Sequence, residues 1–422
     1  ARSPLPLNEC PWCGTPLNRD SLGLFPAKGP TEVRVSCNNF RGPCPFNARQ
    51  NKEGLPVLFV DEQIYRELPC FIVGTVDKFA MLPWRGETAK LFGRVSSFKG
   101  RQCFGALDGP AAQKGAQRIP EGFRPPELVV QDELHLISGP LGTMVGLYET
   151  AIDYLCQRDV QGQSVRPKLI ASTATVRRAG EQVQALFSRQ QLAMFPPAGV
   201  DDSETYFAKV DHGSSGRLYL GVAAAGRSMK GILLRAYVSA LASAQRRFDP
   251  QGPKRQPADP YMTVVGYFNS LRELGGMRRL VEDEVRSRVG RIEDRRPLDW
   301  QERHRWYQNR ELRTEPVELT SRESTAKVSE AKTRLGREAV EESPVDVLLA
   351  SNMISVGVDI DRLGLMIIAG QPKTTAEYIQ ASSRVGRDAS RPGLVLTCFN
   401  LHKPRDRSHY ERFTTYHESF YR

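Results

Sequence analysis

Two adjacent carboxylates, Asp132 and Glu133, follow directly after the apolar run Leu128-Val129-Val130. A continuous apolar run predicts a buried strand, and open α/β sheets bind their ligands at the carboxyl ends of such strands. There Asp132 could hold Mg²⁺ while Glu133 orients a water for attack on a γ-phosphate. Most Asp-Glu pairs lie on solvated surfaces instead, so this pair alone does not decide between the two interpretations.

A second apolar run, Leu169-Ile170-Ala171, ends in the hydroxyl-bearing segment Ser172-Thr173-Ala174-Thr175. These hydroxyls could hydrogen-bond a carboxylate at the end of a neighbouring strand. The same residue types also cap helices, and both roles can hold at once.

A pair of arginines occurs late in the chain, behind a predicted helix start. Thr374-x-x-Glu377 has capping-box spacing, so the residues after it are predicted to be helical. On that helix Gln380, Arg384 and Arg387 fall at i, i+4 and i+7 and share a face. Two guanidiniums on one face could reach triphosphate oxygens and stabilise charge in phosphoryl transfer, whereas the alternative is a solvated arginine face.

Four cysteines near the start have metal-ligand spacing: Cys10-x2-Cys13, then Cys37-x6-Cys44 after 23 intervening residues. Tetrahedral zinc takes four thiolates, and the first pair has the usual spacing while the second is wider than usual. We predict a zinc site with a structural role, in which the metal substitutes for a missing core. Free or buried thiols are the alternative, which we favour for the remaining cysteines: Cys70, Cys103, Cys156 and Cys398.

Apolar runs separated by helical patterns organise the rest of the chain and predict an α/β protein with parallel sheets. The predicted strands are Phe71–Val73, Leu128–Val130, Leu169–Ala171, Met262–Val265, Val345–Ala350, Leu365–Ala369 and Leu394–Thr397. Runs of that kind indicate strands buried on both faces. Between two of them, Met144, Tyr148, Ile152 and Leu155 are predicted to form one apolar helix face.

Composition shifts predict the domain boundaries. We expect a cysteine module at 1–55, the remainder of a first α/β domain at 56–200, and a second domain at 201–422. Around 282–315 the chain is crowded with arginines and acids, which is typical of a charged insertion with a solvated surface.

Length and composition exclude several classes of protein. The chain has 422 residues, a formal net charge of +11, 40% hydrophobic and 25% charged residues, as globular proteins do. It contains neither an apolar stretch of about 18 residues nor a secretory signal pattern, so we predict a cytoplasmic protein without membrane contact. The basic balance favours a polyanionic partner.

Six segments, in sequence order, resemble motifs of the superfamily 2 helicases. Motifs II and III correspond to Asp132–His135 and Ser172–Thr175, and motifs V and VI to Ser351-Asn352 through Gly357-Val358-Asp359 and to Gln380–Arg387. Gly74–Lys78 resembles motif Ib, and Gly266–Ser270 resembles motif IV.

The resemblance implies two RecA-like domains that close on ATP, with nucleic acid lying across both. It assigns Mg²⁺ binding to Asp132, the catalytic base to Glu133 and finger-type arginines to Arg384 and Arg387. Coupling of ATP to motion is implied for His135, Thr173, Thr175, Gly357, Asp359 and Gln380. Nucleic-acid contacts are implied for Thr75, Lys78, Asn269 and Ser351.

More narrowly, Asp132–Thr143, the four-cysteine segment and Arg405–Phe413 are similar to the helicase subunits of bacterial DISARM anti-phage systems. This implies action on DNA rather than RNA, and further protein subunits. One motif departs from the family: there is no Gly-x-x-x-x-Gly-Lys-Ser/Thr loop and no Gly-Lys dipeptide at all. We therefore expect a helicase fragment that is inactive alone; the alternatives are a clamp that binds without hydrolysis and an RNA helicase.

Overall fold

The computed structural model divides the chain into two compact units, Ala1–Leu192 and Ala193–Arg422. It describes all residues except 1–4, 6, 138, 174–178, 198–199, 201–203, 205, 208, 210, 212, 253–254, 296–305, 321, 324, 352–358 and 420–422. Within these described residues, no helix combines the length and apolarity needed to cross a bilayer.

The first unit begins with the cysteine segment, which has little regular structure. Strands β1 (Leu22–Phe25) and β2 (Glu32–Val35) form an antiparallel hairpin, with Leu22 opposite Val35. The buried cluster of this segment is small and consists of Cys10, Leu17, Val35, Cys37, Cys44 and Leu55. Because three of these six residues are cysteines, the segment has few aliphatic side chains of its own to bury.

The rest of the first unit has a parallel strand pair with helices on one side. Its helices and strands are α1 (Asp61–Glu67), α2 (Val76–Ala80), β3 (Ser97–Lys99), β4 (Gln102–Phe104), β5 (Gln117–Arg118), β6 (Leu128–Gln131), α3 (Gly139–Leu155), β7 (Arg158–Val160), β8 (Gln163–Val165), β9 (Lys168–Ala171) and α4 (Ala179–Phe187). Strands β6 and β9 are parallel, with Val129 opposite Leu169. Strands β3, β4 and β5 form an antiparallel sheet, and β7 and β8 form a hairpin.

The strand pair β6–β9 is covered on one face. Val129 and Leu169 pack against the buried residues of α3 and α4, whereas Leu128, Val130 and Ile170 are exposed. The expectation of burial on both faces is therefore wrong here, because successive side chains of a strand point to opposite faces and the described helices cover one of them.

Two further expectations for this unit are corrected. The segment Phe71–Val73 is not a strand, and its Phe71 and Val73 side chains are 75% and 84% exposed. On α3 the buried face contains Val145, Tyr148 and Ile152, while Met144 is exposed. Tyr148 and Ile152 are buried as predicted and Leu155 packs against the same cluster, so only Met144 was wrongly placed, with Val145 buried instead.

The second unit is built on a six-stranded, wholly parallel sheet in the order β10-β15-β14-β11-β13-β12. Its helices and strands are β10 (Leu218–Ala223), α5 (Met229–Arg247), α6 (Arg255–Ala258), β11 (Val264–Phe268), α7 (Leu271–Leu280), α8 (Arg286–Val289), β12 (Val317–Leu319), α9 (Thr325–Leu335), β13 (Val347–Ala350), β14 (Leu365–Ala369), α10 (Thr375–Ser382), β15 (Leu394–Phe399), α11 (Pro404–Glu411) and α12 (Phe413–Glu418).

Both faces of the central strands are buried. On β14, Leu365 and Ile367 belong to a cluster with α5 and α7, while Met366 and Ile368 belong to a second cluster with α9 and α10. This arrangement explains why β11, β13 and β14 read as continuous apolar runs. The predicted α/β class with parallel strands is confirmed.

The charged stretch around 282–315 is partly core rather than a solvated surface throughout. Val285 and Val289 are buried against α5, on a helical segment that passes through a π-helical turn at Val281–Val285. Arg310 is 4% exposed and donates to Asp346, which is 5% exposed, at 2.6 Å. The high density of charged residues therefore did not indicate that two valines and one ion pair of this stretch are buried.

Candidate functional sites

Asp132 and Ser172 meet at the carboxyl ends of β6 and β9. The Ser172 hydroxyl donates a hydrogen bond to Asp132 Oδ1, and the backbone N–H of Glu133 donates to the same oxygen at 2.9 Å. Asp132 itself is exposed. Two donors thus fix one carboxylate oxygen while the side chain remains open to solvent, which suits a carboxylate that binds a cation.

The loop after Asp132 is held at several points. Leu134 N donates to Ser172 O at 2.9 Å, and Gln182 Nε2 donates to Leu134 O at 3.1 Å and to Ile137 O at 3.0 Å. Glu133 has φ +52°, a left-handed conformation that non-glycine residues adopt rarely. Sequence analysis missed Gln182, a polar residue next to the buried Val183 on α4.

His135 links the acidic segment to the hydroxyl segment. Its Nδ1 lies 3.4 Å from Glu133 Oε2 and 3.4 Å from Thr173 Oγ1. Two of the predicted coupling residues, His135 and Thr173, are therefore in contact with each other. Thr175 lies outside the described residues.

In the second unit, Arg384 and Arg387 converge on Asp359. The Nη1 atoms of both arginines form ion pairs with the same oxygen, Asp359 Oδ1. The Asp359 side chain is 62% exposed, so this three-residue cluster faces solvent. The predicted nucleotide-sensing residue is thus the carboxylate that holds the two arginines, whereas Gly357 lies outside the described residues.

The two arginines do not share a helix face, which corrects the prediction. Helix α10 ends at Ser382; its start is as predicted, since Thr374 Oγ1 accepts from Glu377 N at 3.1 Å. Gln380 lies on the helix and is 9% exposed, whereas Arg384 and Arg387 follow it in a turn. The turn requires Gly386, whose φ is +62° and where a Cβ would lie 2.3 Å from Gly393 N.

Arg217 supports this turn and was missed by sequence analysis. Its Nε donates to Val385 O at 2.7 Å and its Nη2 to Ser383 O at 3.3 Å. Because Arg217 lies 168 residues before Val385 in the chain, no local spacing indicates this contact.

The four predicted nucleic-acid contacts lie in different surroundings. Thr75 is the exposed N-cap residue of α2, and Lys78, also exposed, pairs with Asp61 at 2.6 Å. That carboxylate raises the pKa of Lys78. Asn269 Nδ2 donates to Ala369 O at 3.2 Å, and Ser351 is 5% exposed. Thr75 and Lys78 are thus accessible to a ligand while Ser351 is buried, and all four roles stay predictions.

Cys10, Cys13, Cys37 and Cys44 come together, with all four sulfurs within 4.8 Å of one another. Sγ of Cys10 lies 3.9 Å from that of Cys44, and Sγ of Cys13 lies 3.5 Å from that of Cys37. Around a tetrahedral zinc with bonds of ~2.3 Å, neighbouring sulfurs lie about 3.8 Å apart. The four thiolates therefore fit zinc in number, type and spacing.

The surroundings of the four thiols differ. Hydrogen bonds from Thr15 lower the pKa of Cys13 to about 6, whereas burial raises the pKa of Cys37 to about 12. Asn39 N donates to Cys37 Sγ at 3.3 Å, a contact that would stabilise a thiolate once a metal had displaced its proton.

Comparisons with known proteins agree with the motif resemblance. Residues 308–389 match the helicase conserved C-terminal domain family. The DISARM protein DrmA of Bacillus paralicheniformis is 43% identical over 98% of this chain, and the chain spans 36% of that relative.

Two solved structures share 15–16% sequence identity with the chain. The helicase MrfA bound to DNA covers 75% of this chain and is matched over 39% of its own length, with a TM-score of 0.44. The helicase Lhr of Mycobacterium smegmatis, bound to single-stranded DNA and AMP-PNP, covers 82% of this chain and is matched over 36% of its own length, with a TM-score of 0.42.

The resemblance to superfamily 2 helicases is therefore confirmed: the chain contains a helicase conserved C-terminal domain and is similar over nearly its whole length to the DISARM protein DrmA.

Proposed function

We propose that this chain supplies the acidic and arginine groups of an ATP-driven helicase or translocase that acts on DNA in anti-phage defence. The observation that carries the proposal is the contact between Ser172 and Asp132 at the carboxyl ends of two parallel strands. It joins the segments that resemble motifs II and III. In a solvated Asp-Glu pair without function, nothing would require a second strand end to hold the carboxylate.

Asp132 and Glu133 fit a site for magnesium and ATP, but the phosphate-binding loop of such a site is missing from this sequence. The Asp132 carboxylate is an oxygen ligand of the kind that Mg²⁺ prefers, and bound Mg²⁺ would neutralise phosphate charge. Glu133, 3.4 Å from His135, would orient the attacking water and accept its proton. The loop Gly-x-x-x-x-Gly-Lys-Ser/Thr, which cradles the β- and γ-phosphates in P-loop proteins, is absent from this sequence.

Arg384 and Arg387 would stabilise the charge that develops on the phosphates. Both already converge on one carboxylate oxygen, Asp359 Oδ1, and guanidinium groups form the same kind of charge-assisted hydrogen bonds with phosphate oxygens. We propose that they exchange the Asp359 carboxylate for phosphate when nucleotide binds. We further propose that hydrolysis requires a phosphate-binding loop outside these 422 residues.

The proposal is tested by measuring ATPase activity of the 422-residue chain and of a longer protein that contains it. We expect hydrolysis by the longer protein, stimulated more by single-stranded or duplex DNA than by RNA, and none by the chain alone. Glu133→Gln in the longer protein should lower kcat by about 10²–10⁴-fold, as the loss of a general base does. Glu121→Gln, at an exposed position in a loop, is the matched control.

Three results would contradict this proposal. ATP hydrolysis by the chain alone, abolished by Glu133→Gln, would show that no further loop is needed. Stronger stimulation by RNA than by DNA would favour the RNA helicase.

The third contradicting result is a longer protein that binds DNA but never hydrolyses ATP. It would favour a clamp that binds without hydrolysis, which the missing Gly-Lys dipeptide also suggests. DNA binding through the basic surface should weaken steeply with salt in either case, because counterions are released on binding.

A further inference from the structure

A large groove lies at one edge of the sheet in the second unit. It has a volume of about 1060 Å³ and is bounded by strand β10, strand β15 and one side of helix α5. Pockets for small ligands measure about 300–1,000 Å³, so this groove lies at the upper end of that range. The candidate sites described above do not use it.

The floor of the groove is apolar. It contains Leu218 and Val222 of β10 and Leu394 and Leu396 of β15. Leu218 is 58% exposed and the neighbouring Leu220 is 42% exposed. Among the described residues, helix α5 covers β14 and the part of β15 next to it. The edge strand β10 therefore keeps an uncovered apolar face.

One wall of the groove permits close approach of a second helix. The wall is formed by small residues of α5: Gly231, Ala236, Ser239, Ala240, Ser243 and Ala244. Of these, Ala236, Ser239, Ala240 and Ser243 fall at i, i+3, i+4 and i+7 and therefore lie along one side of the helix. Helix α5 has 19 residues and is thus about 28 Å long, which gives the groove the length of a helix of five turns.

Four exposed arginines line the groove. Arg227, Arg235, Arg246 and Arg247 are all exposed, and none forms an ion pair within the part of the chain that the structure describes. Four positive charges around an apolar floor favour a ligand that combines apolar side chains with carboxylates. A nucleic-acid backbone has the charge but would leave the leucines of the floor unmatched.

We propose that this groove docks an acidic amphipathic helix of a separate protein chain. Apolar side chains at i, i+3, i+4 and i+7 of that helix would pack on Leu218, Leu394 and Leu396, and flanking carboxylates would pair with the arginines. A second copy of this chain is a poorer partner, because each copy carries a net charge of +11. The proposal does not depend on ATP hydrolysis.

The test uses the 422-residue chain and three fluorescein-labelled 18-residue peptides in anisotropy titrations. The acidic peptide carries leucine at i, i+3, i+4 and i+7 with glutamate on both flanks; one variant has lysine for glutamate, and another has serine for leucine. We expect micromolar binding of the acidic peptide, at least 10-fold weaker binding of the lysine peptide and no binding of the serine peptide.

Variants of the protein locate the binding in the groove. Arg235→Glu with Arg246→Glu should weaken the acidic peptide about 10-fold and improve the lysine peptide, since interface charges are reversed. Arg279→Glu, at an exposed position of α7 outside the groove, is the matched control and should change neither. Ser239→Trp should block the groove. If Ser239→Trp does not fold, the double variant Arg235→Glu with Arg246→Glu and its control still test the proposal.

Four outcomes would overturn the proposal. These are equal binding of the acidic and lysine peptides, binding that Arg235→Glu with Arg246→Glu leaves unchanged, and displacement of the peptide by an equimolar 20-residue oligothymidylate. The fourth is a dimer in light scattering that Ser239→Trp dissociates, which would assign the groove to self-association.

Discussion

Removal of zinc is predicted to unfold the cysteine segment while the rest of the first unit stays folded. The perturbation is Cys37→Ser, which removes one of the four sulfurs that lie within 4.8 Å of one another. Cys37 is fully buried, and Sγ of Cys13 lies 3.5 Å away. A serine hydroxyl is a poor ligand for zinc, so the site would keep three thiolates.

The magnitude follows from what the segment buries. Its cluster contains three buried aliphatic side chains, Leu17, Val35 and Leu55, and six partly buried hydrophobic residues pack against them. Each contributes about 1.5–3 kcal/mol, which gives about 5–9 kcal/mol for the three. Structural zinc contributes about 10–16 kcal/mol to small domains of this kind. Ordering the backbone costs about 1–2 kcal/mol per residue, which this burial alone does not offset over the segment, so we expect the segment to be unfolded without zinc.

The assay combines elemental analysis with limited proteolysis. The wild-type chain should hold one equivalent of zinc and resist cleavage between Cys10 and Leu55. Cys37→Ser should lose the zinc and be cleaved there. Cys70→Ser, at an exposed cysteine outside the cluster, is the matched control and should retain both properties. Trp12 lies between two ligands with its ring 5.9 Å from that of Phe46, so its fluorescence should report the same transition.

Two results would refute this reasoning. One is a full equivalent of zinc in Cys37→Ser, which would place the metal elsewhere. The other is a wild-type chain that binds no metal and still protects the segment from proteolysis.

Three further predictions concern stability. Burial raises the pKa of Glu149 to about 7 from its usual 4.5. The contribution of its protonated carboxyl to the free energy of unfolding is therefore fully present below pH 4.5 and is lost as pH rises through 7. Glu149→Gln should therefore stabilise the first unit by at most about 3 kcal/mol at pH 8 and by nothing near pH 4 in urea titrations; equal effects at both would contradict this. Arg310→Met leaves Asp346 buried and unpaired, so urea unfolding of the second unit should show a loss of about 3–5 kcal/mol, and a neutral result would contradict it. Gly386→Ala places a Cβ 2.3 Å from Gly393 N and should cost more than about 1 kcal/mol in the same titration, whereas Gly109→Ala, with open space around it, should not.

The central strands β11, β13 and β14 of the second unit were predictable because they are buried on both faces, whereas the edge strands β10 and β12 were not predicted. Strands β13 and β14 are continuous apolar runs, and β14 has the predicted bounds of Leu365 and Ala369. The same signal was wrong for Phe71–Val73, which is an exposed segment. An apolar run shows that burial is favourable, but it does not show which surface covers the run.

The candidate sites were predictable to the extent that they depend on strand ends. The contact of Ser172 with Asp132 follows from two parallel strands that end side by side. The turn that holds Arg384 and Arg387 did not follow from spacing, since helical periodicity also fits residues beyond the end of a helix. Tertiary contacts hold the turn that follows α10: Arg217 donates to Val385 O, and Gly386 contacts Gly393.

The cluster of Asp359 with the two arginines explains how one unit could respond to a nucleotide. Among the described residues, this cluster combines one carboxylate with two guanidiniums, which is a net charge of +1 for the three groups. An anion with several negative charges gains more from the same two groups than Asp359 does. Since Asp359 is 62% exposed, releasing it to water costs little. We therefore expect the cluster to persist without a ligand and propose that a polyphosphate rearranges it.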